Sequence, residues 1–441
     1  MDLTARLRRF SFARPHLLLV AAPGAIETRL VVERYARERG WPVAESPADA
    51  DVLAVVGSFD DGLASVLTVL QSQAPAPWIR VDLPNAAGVA SLLDAAPGLL
   101  AAWSPELEVG RSDETEPAHG GHGHDAEPGD HPADMKHEAH GHEMGGHEMG
   151  HEMGGHEMGH GMGGHEMGHG MGGHEMGHEM GAVAGLPMAG RAPDRDGLKL
   201  DVLHVPLGPV LRHWPAGLRV SLTVQGDVVQ EAVVETLGLA AAGPSFWDLP
   251  AVRALSGDHI QVGDTARRRA AAHLDSLMRL LGVAGWEAPA THCAILRDRV
   301  LDGEPAGPLA EAFRPLGRRV TRSRALRRMT AGLGELNGRA CEKAGVSGPA
   351  AVAAGDVWAR TEQWVRSIAE DLARSDDGSW VADVEGPRGR LDRAEPPSTA
   401  LLRVLPELVV GVELAGARLV VASLDPDLAE LSSVPAVIAH G

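Results

Sequence analysis

Residues His142 to Met180 repeat a Gly-His-Glu-Met unit. Fifteen of the chain's 22 histidines and ten of its 14 methionines lie between His119 and Met180. Imidazole binds divalent zinc, nickel and copper, and thioether favours Cu(I). The candidate ligands are His142, His147, His151, His156, His160, His165, His169, His174 and His178. One reading is sequestration of nickel, zinc or copper by many weak ligands with no fixed geometry. The other is a solvated linker whose repeats have expanded. Composition leaves both open. Imidazole titrates near about 6.5, so metal binding would weaken as the pH falls through that value.

The same tract holds His147-Glu148-Met149-Gly150-His151, which matches H-E-x-x-H, and the pattern recurs at 156–160, 165–169 and 174–178. The metalloprotease chemistry needs a helix, which puts both histidines on one face with the glutamate beside a metal-bound water. A glycine sits inside every copy and costs about 1 kcal/mol in a helix interior. The pattern therefore does not predict a protease.

Outside the tract, Arg318, Arg319, Arg322, Arg324, Arg327 and Arg328 form a basic cluster. A solvated helix face, or one docked on an acidic partner, explains it better than nucleic-acid binding. His204, His213, His259, His273 and His292 are scattered. There is no G-x-G-x-x-G, Walker A or nucleophile elbow. The two cysteines, Cys293 and Cys341, cannot hold a four-thiolate cluster or a Cys₄ zinc site, and they form no disulfide framework. Such usage fits a reducing cytosol.

The 441 residues are 44% hydrophobic, enough for buried cores. The net charge of −20 is uneven: residues 111–181 carry fifteen acidic against two basic side chains. An acidic chain is a poor candidate for nucleic-acid binding. No apolar run reaches the roughly 18 to 20 residues of a membrane helix. The expectation is a cytoplasmic protein, peripheral on the inner face of the cell membrane if it has a membrane partner.

Three segments follow from the patterning. Residues 1–105 alternate strand and helix: Leu17–Ala22, Asp51–Gly57 and Trp78–Asp82 read as strands, with helices over Ile26–Arg39 and around Leu63, Val66, Leu67 and Leu70. This spacing predicts an α/β domain with a parallel sheet of flavodoxin type. Residues 106–194 are a low-complexity His/Met/Gly/Glu linker with too little apolar bulk to repay ordering. Residues 195–441 form a helix-rich α+β domain. Leu218 to Val224 alternates like a strand, followed by a turn at Gln225-Gly226-Asp227. Leu274, Leu277, Met278 and Leu281 share one helical face, and Val357, Thr361, Trp364, Ile368 and Leu372 share another. Arg418 to Leu424 reads as a strand-like run.

The first segment resembles the small, cluster-bearing (20-kDa-type) subunit of respiratory complex I, and more distantly the [NiFe]-hydrogenase small subunit. The resemblance rests on Ala22-Pro23-Gly24-Ala25-Ile26-Glu27, Arg34-Tyr35, Ala50 to Gly57 and Trp78 to Ala86. Pro23, Gly24 and Asn85 stand where that family carries cluster cysteines. The third segment is similar to the 49-kDa-type subunit of complex I and to membrane-bound hydrogenase large subunits. Gly217-Leu218-Arg219-Val220, Gly355 to Arg360, Glu385-Gly386-Pro387-Arg388-Gly389 and Val421 to Glu430 carry it. Asp427 and Glu430 stand where hydrogenases hold nickel with thiolates.

The resemblance implies an accessory or degenerate subunit of a complex I-like (NADH-quinone oxidoreductase or hydrogenase-related) membrane assembly, with other subunits of that assembly as partners. It would keep the docking surface, carry no iron–sulfur or Ni–Fe centre of its own, and not be catalytic alone. The resemblance implies quinone binding with His213 as candidate residue, and NAD binding as a family property. The alternative is a nickel, zinc or copper metallochaperone or metal store serving such an assembly.

Overall fold

The computed structural model describes residues 10–103, 190–193, 199–239, 244–382 and 384–432. The histidines proposed as ligands, His142 to His178, lie outside the described residues. The segments 1–107 and 189–441 pack into one compact unit.

The amino-terminal segment is built on β1 (Leu17–Ala21), α1 (Ile26–Arg39), β2 (Val52–Val56), α2 (Asp61–Gln73), β3 (Ile79–Leu83) and α3 (Val89–Ala102). The three strands run parallel in the order β1-β2-β3. All five residues of β2 are buried, which is why it reads as an unbroken apolar run, with apolar cover on both faces. Gly40 ends α1 in the left-handed region at φ 65°, a conformation open to glycine at little cost. Asp60 caps α2 by accepting from the Leu63 N–H.

The carboxy-terminal segment opens on an antiparallel sheet, β4 (Gly190–Pro193), β5 (Lys199–Leu207), β6 (Leu218–Gln225) and β7 (Val228–Thr236). Alternate residues of β6, Leu218, Val220, Leu222 and Val224, are buried, as a half-solvated antiparallel strand requires. Gly226 turns the chain into β7 at φ 65°.

Helices follow: α4 (Leu249–Leu255), α5 (Val262–Val283), α6 (Glu287–Leu301), α7 (Ala306–Thr321), α8 (Arg324–Thr330), α9 (Gly338–Ala344), α10 (Gly348–Ala353) and α11 (Val357–Ala373). A short hairpin, β8 (Glu385–Gly386) and β9 (Gly389–Arg390), precedes α12 (Pro397–Val409), α13 (Leu414–Leu424) and α14 (Ala429–Ser432). The central helix α5 packs against α6, α11 and α13. It buries sixteen of its 22 residues, so it is enclosed on nearly every side.

The run at Arg418 to Leu424 is helical, the end of α13, not a strand. A short apolar run has the same composition in a buried strand and a buried helix. Gly416, Ala417, Leu419, Val420, Val421 and Ala422 are all buried, and the run extends back to Leu414 in helical geometry. The other expected strands and helices appear within a residue or two of their predicted places.

Ile26 and Leu30 of α1 share one apolar cluster with Leu274, Leu277 and Met278 of α5 and Ala290 of α6. The two segments thus close on a common core. No helix among the described residues is long and apolar enough to cross a membrane.

Candidate functional site

Where α1 meets α5, a chain of buried charges crosses between the segments. Arg29 of α1 donates from Nη2 to Asp275 Oδ2 of α5 at 2.7 Å and pairs with Glu33 one turn on. Arg297 of α6 reaches Asp275 Oδ1 at 2.6 Å and Glu33 Oε2 at 2.8 Å. Arg279 contacts Asp275 Oδ2 at 3.1 Å and Asp425 Oδ1 at 2.9 Å. Asp425 also accepts from Ser276 Oγ at 2.6 Å and from Arg388 at 2.8 Å. Burial alone would push the Asp275 carboxyl up. The guanidinia of Arg29, Arg279 and Arg297 outweigh it and hold the group well below the usual carboxylate range.

Local geometry explains how these side chains arrive. Asp275 and Arg279 are one helical turn apart on α5, so they line the same face. Pro387 and Arg388 sit between the paired strands β8 and β9, which present the guanidinium of Arg388 inward. Asp425 lies at the end of α13 with φ 40°, a conformation uncommon for a residue with a Cβ. Its three side-chain partners, with a further bond from Arg388 Nε to its carbonyl at 2.7 Å, hold it there.

Beyond Arg388 lie three carboxylates. Asp427 accepts from the Ser245 hydroxyl, and its Oδ1 accepts from the Ala429 N–H at 3.0 Å. Glu430 Oε2 accepts from the Ser398 N–H at 2.8 Å. Burial and the neighbouring Asp427 push the Asp248 carboxyl up to about 7, against the pull of Arg388. Burial, then Asp248 and Asp427, push Glu430 well above the ordinary range. Asp248 and Glu430 are thus both pushed toward their neutral forms.

Two cavities flank the charge chain. The larger, about 340 Å³, opens between β1, the loop 209–216 and helices α5 and α6. Its walls are mainly apolar, from Leu17, Leu19, Val210, Leu211, Trp41 and Met278, with Arg29, Glu33 and Arg279 among the charged residues in its lining. His213 lines it with φ 62°, one of three non-glycine residues with positive φ among the described residues. The Nε2 of His213 is buried and has no hydrogen-bond partner. Burial, with help from Arg212, lowers its pKa to about 4, so the ring is neutral at physiological pH. The ring lies over Gly282, where a Cβ would come within 2.3 Å of Nε2.

The smaller cavity, about 20 Å³, has room for one water. Arg29, Arg279, Ala21 and Ala216 line both cavities. Pro23 and Asp427 both line the smaller one. Pro23 packs so closely on Gly217 and Gly238 that a Cβ at either would come within 2.6 Å or 3.0 Å of its ring. A wider cleft of about 670 Å³ lies between α5 and α11, with His273 and Asp371 in its lining.

The structure therefore places Pro23 and Asp427 in the lining of one small cavity, with His213 in the neighbouring one. Glu430 sits deeper, on the Ser398 amide. Gly24 is exposed. Asn85 is exposed too, and its side chain accepts from the Ala87 N–H. Neither Gly24 nor Asn85 lines either cavity. His204, His259 and His292 are exposed, and buried His273 places Nε2 3.0 Å from the Pro387 carbonyl. The donor chemistry at Pro23, Gly24 and Asn85 includes no thiolate, and Asp427 and Glu430 spend carboxylate oxygens on protein donors. The residues present do not fit an iron–sulfur or nickel centre at these positions. Cys293 and Cys341 are buried in the helical cores, and burial raises both thiols. Among the described residues, no three His, Cys, Asp or Glu groups are arranged to hold a metal ion.

Sequence reasoning missed Arg29, Glu33, Asp275, Arg279, Arg297 and Asp248. Arg29 and Glu33 do show an i,i+4 charge pairing on α1. Their partners on α5 and α6 leave no local trace.

The fold is an α/β parallel-sheet segment joined to a helix-rich α+β segment. No protein-family model matches the chain, and no curated protein matches it. Among solved structures, the chain is similar to a chain of the membrane-bound sulfane sulfur reductase (MBS), an archaeal respiratory membrane complex. The match covers 52% of this chain and 98% of that one, at 16% identity and a TM-score of 0.36.

Proposed function

We propose that this chain is a subunit of a complex I-like or hydrogenase-like membrane assembly that lends a quinone-binding cavity but no redox centre of its own. The observation that carries the reading is the 340 Å³ cavity with His213 at its wall. An apolar slot with one unmet hydrogen-bond position suits a planar, lipid-soluble ligand with a carbonyl acceptor. A neutral imidazole turned away from Gly282 would donate a ring N–H to that carbonyl. The positive φ at His213 and the bare Gly282 beneath its ring favour a position selected for function over packing. When bound, a quinone would supply two-electron redox chemistry. This chain's residues would bind and orient it and keep water from its ring. The charge chain from Glu33 to Asp425 would hold the two segments rigid around it.

The test is titration of decylubiquinone into the purified full chain, followed by calorimetry. Saturable binding that weakens at least about tenfold in His213→Ala, a loss matching one hydrogen bond to a buried partner, supports the reading. Unchanged binding removes His213 from the site, and no saturable binding removes the function.

The repeat at 142–180 favours a second reading, a nickel, zinc or copper store or chaperone for the assembly. Deleting 119–180 separates the two. Partner activity that then depends on added nickel supports the chaperone, and unchanged activity makes the tract a linker.

A further inference from the structure

The arginine cluster is not used by the cavity or by the charge chain. Arg318, Arg319 and Arg322 sit at the end of α7, and Arg324, Arg327 and Arg328 lie on α8. All six are exposed. Elsewhere on the surface, Arg299 pairs with Glu304 and Arg403 with Glu395. None of the six meets a carboxylate among the described residues. Arg319 instead lies over the indole of Trp286 at 5.2 Å. Met329 stands among the arginines, 46% exposed.

We propose that this face, formed by the end of α7, by α8 and by Trp286, docks on anionic phospholipid headgroups. Guanidinium forks match phosphate oxygens and stay charged at any working pH. Each arginine held near an anionic bilayer adds to the attraction. Trp286 and Met329 add the aromatic and apolar contact that membrane interfaces favour. None of the six arginines lines a cavity described above. They are spread over two helices, as suits a broad charged surface better than a peptide seated in a groove. The chain as a whole is acidic, with a net charge of −20. An anionic bilayer would repel it, so the patch would set the orientation.

The docking surface stands independently of the quinone reading. The two meet at one place. Trp286 precedes Glu287, which lines the large cavity and pairs with Arg212 at 2.9 Å. A chain docked through this face would hold the cavity mouth close to lipid.

The experiment is co-sedimentation of the full chain with vesicles of one-third phosphatidylglycerol in phosphatidylcholine, against pure phosphatidylcholine. The expected result is binding to the first only, released by about 0.5 M salt. The variant Arg324→Glu/Arg327→Glu/Arg328→Glu should bind at least about tenfold more weakly, with an unchanged melting curve. Equal binding to both vesicles, or an undiminished variant, overturns the proposal. So does binding to soluble poly-glutamate with none to vesicles, which would make the partner an acidic protein. Loss of quinone binding in His213→Ala leaves this result untouched, so the two proposals fail separately.

Discussion

Arg29 and Asp275 stand 246 positions apart in the chain and meet at 2.7 Å in a buried interface. Each is almost wholly shielded from water. Breaking such a pair leaves an uncompensated buried charge, which costs about 3–5 kcal/mol. Asp275→Asn and Arg29→Met should each lower unfolding free energy in urea by that order. A double-mutant cycle should give a coupling above about 1 kcal/mol. Losses under 1 kcal/mol would mean that water reaches the pair.

His213 sets an acid limit. Its folded pKa is about 4, whereas an unfolded histidine titrates near about 6.5. The unfolded chain therefore takes up the proton first. The stability from the neutral ring is present above about 6.5 and drains away as the pH falls toward 4. His213→Gln should melt with less pH dependence between those values. An equal dependence in the variant would place the acid sensitivity elsewhere.

Asp248 and Glu430 act in the opposite direction. The folded Asp248 carboxyl titrates near 7, well above about 3.9 in an unfolded chain. Folding thus takes up a proton across that window. The contribution is present at low pH and is lost as the pH rises through 7. Asp248→Asn should exceed the parent in melting temperature at pH 8, and the gap should close as the pH falls to about 4. A variant less stable at both values would show a role for the ionised form.

Gly282→Ala offers an independent probe of the cavity. The added methyl would meet the His213 ring at 2.3 Å, so the ring must move. Overpacking of this kind costs about 1–3 kcal/mol. The expected readout is weaker decylubiquinone binding with α5 still helical by circular dichroism. Retained binding would mean that the ring's position is not what the ligand reads.

The elements were largely legible, and the site was less so. β2 and β6 announce themselves, one by an unbroken apolar run, the other by strict alternation. The end of α13 did not, because periodicity vanishes when all sides are apolar, and its neighbours α5, α11 and α12 decide the outcome. His213, Pro23 and Asp427 were legible as positions in motifs. Their surroundings were not. Arg360 illustrates this: the motif Gly355 to Arg360 marks a helix start, which Asp356 caps. The fold then buries Arg360 against the carbonyls of Gly334 and Gly355 and the Ser423 hydroxyl. Hydrogen bonds between distant segments depend on three-dimensional closure, and a linear pattern records no trace of it.

Asp60 serves two masters with one carboxylate. Oδ1 starts α2 by accepting from the Leu63 N–H at 2.9 Å, and Oδ2 accepts from the Gly238 N–H, also at 2.9 Å. The first helix turn of one half and the strand exit of the other therefore share a single anchor. Neither loop can be lengthened, grafted or allowed to drift without the other answering for it, so the two halves are bound to evolve as a couple.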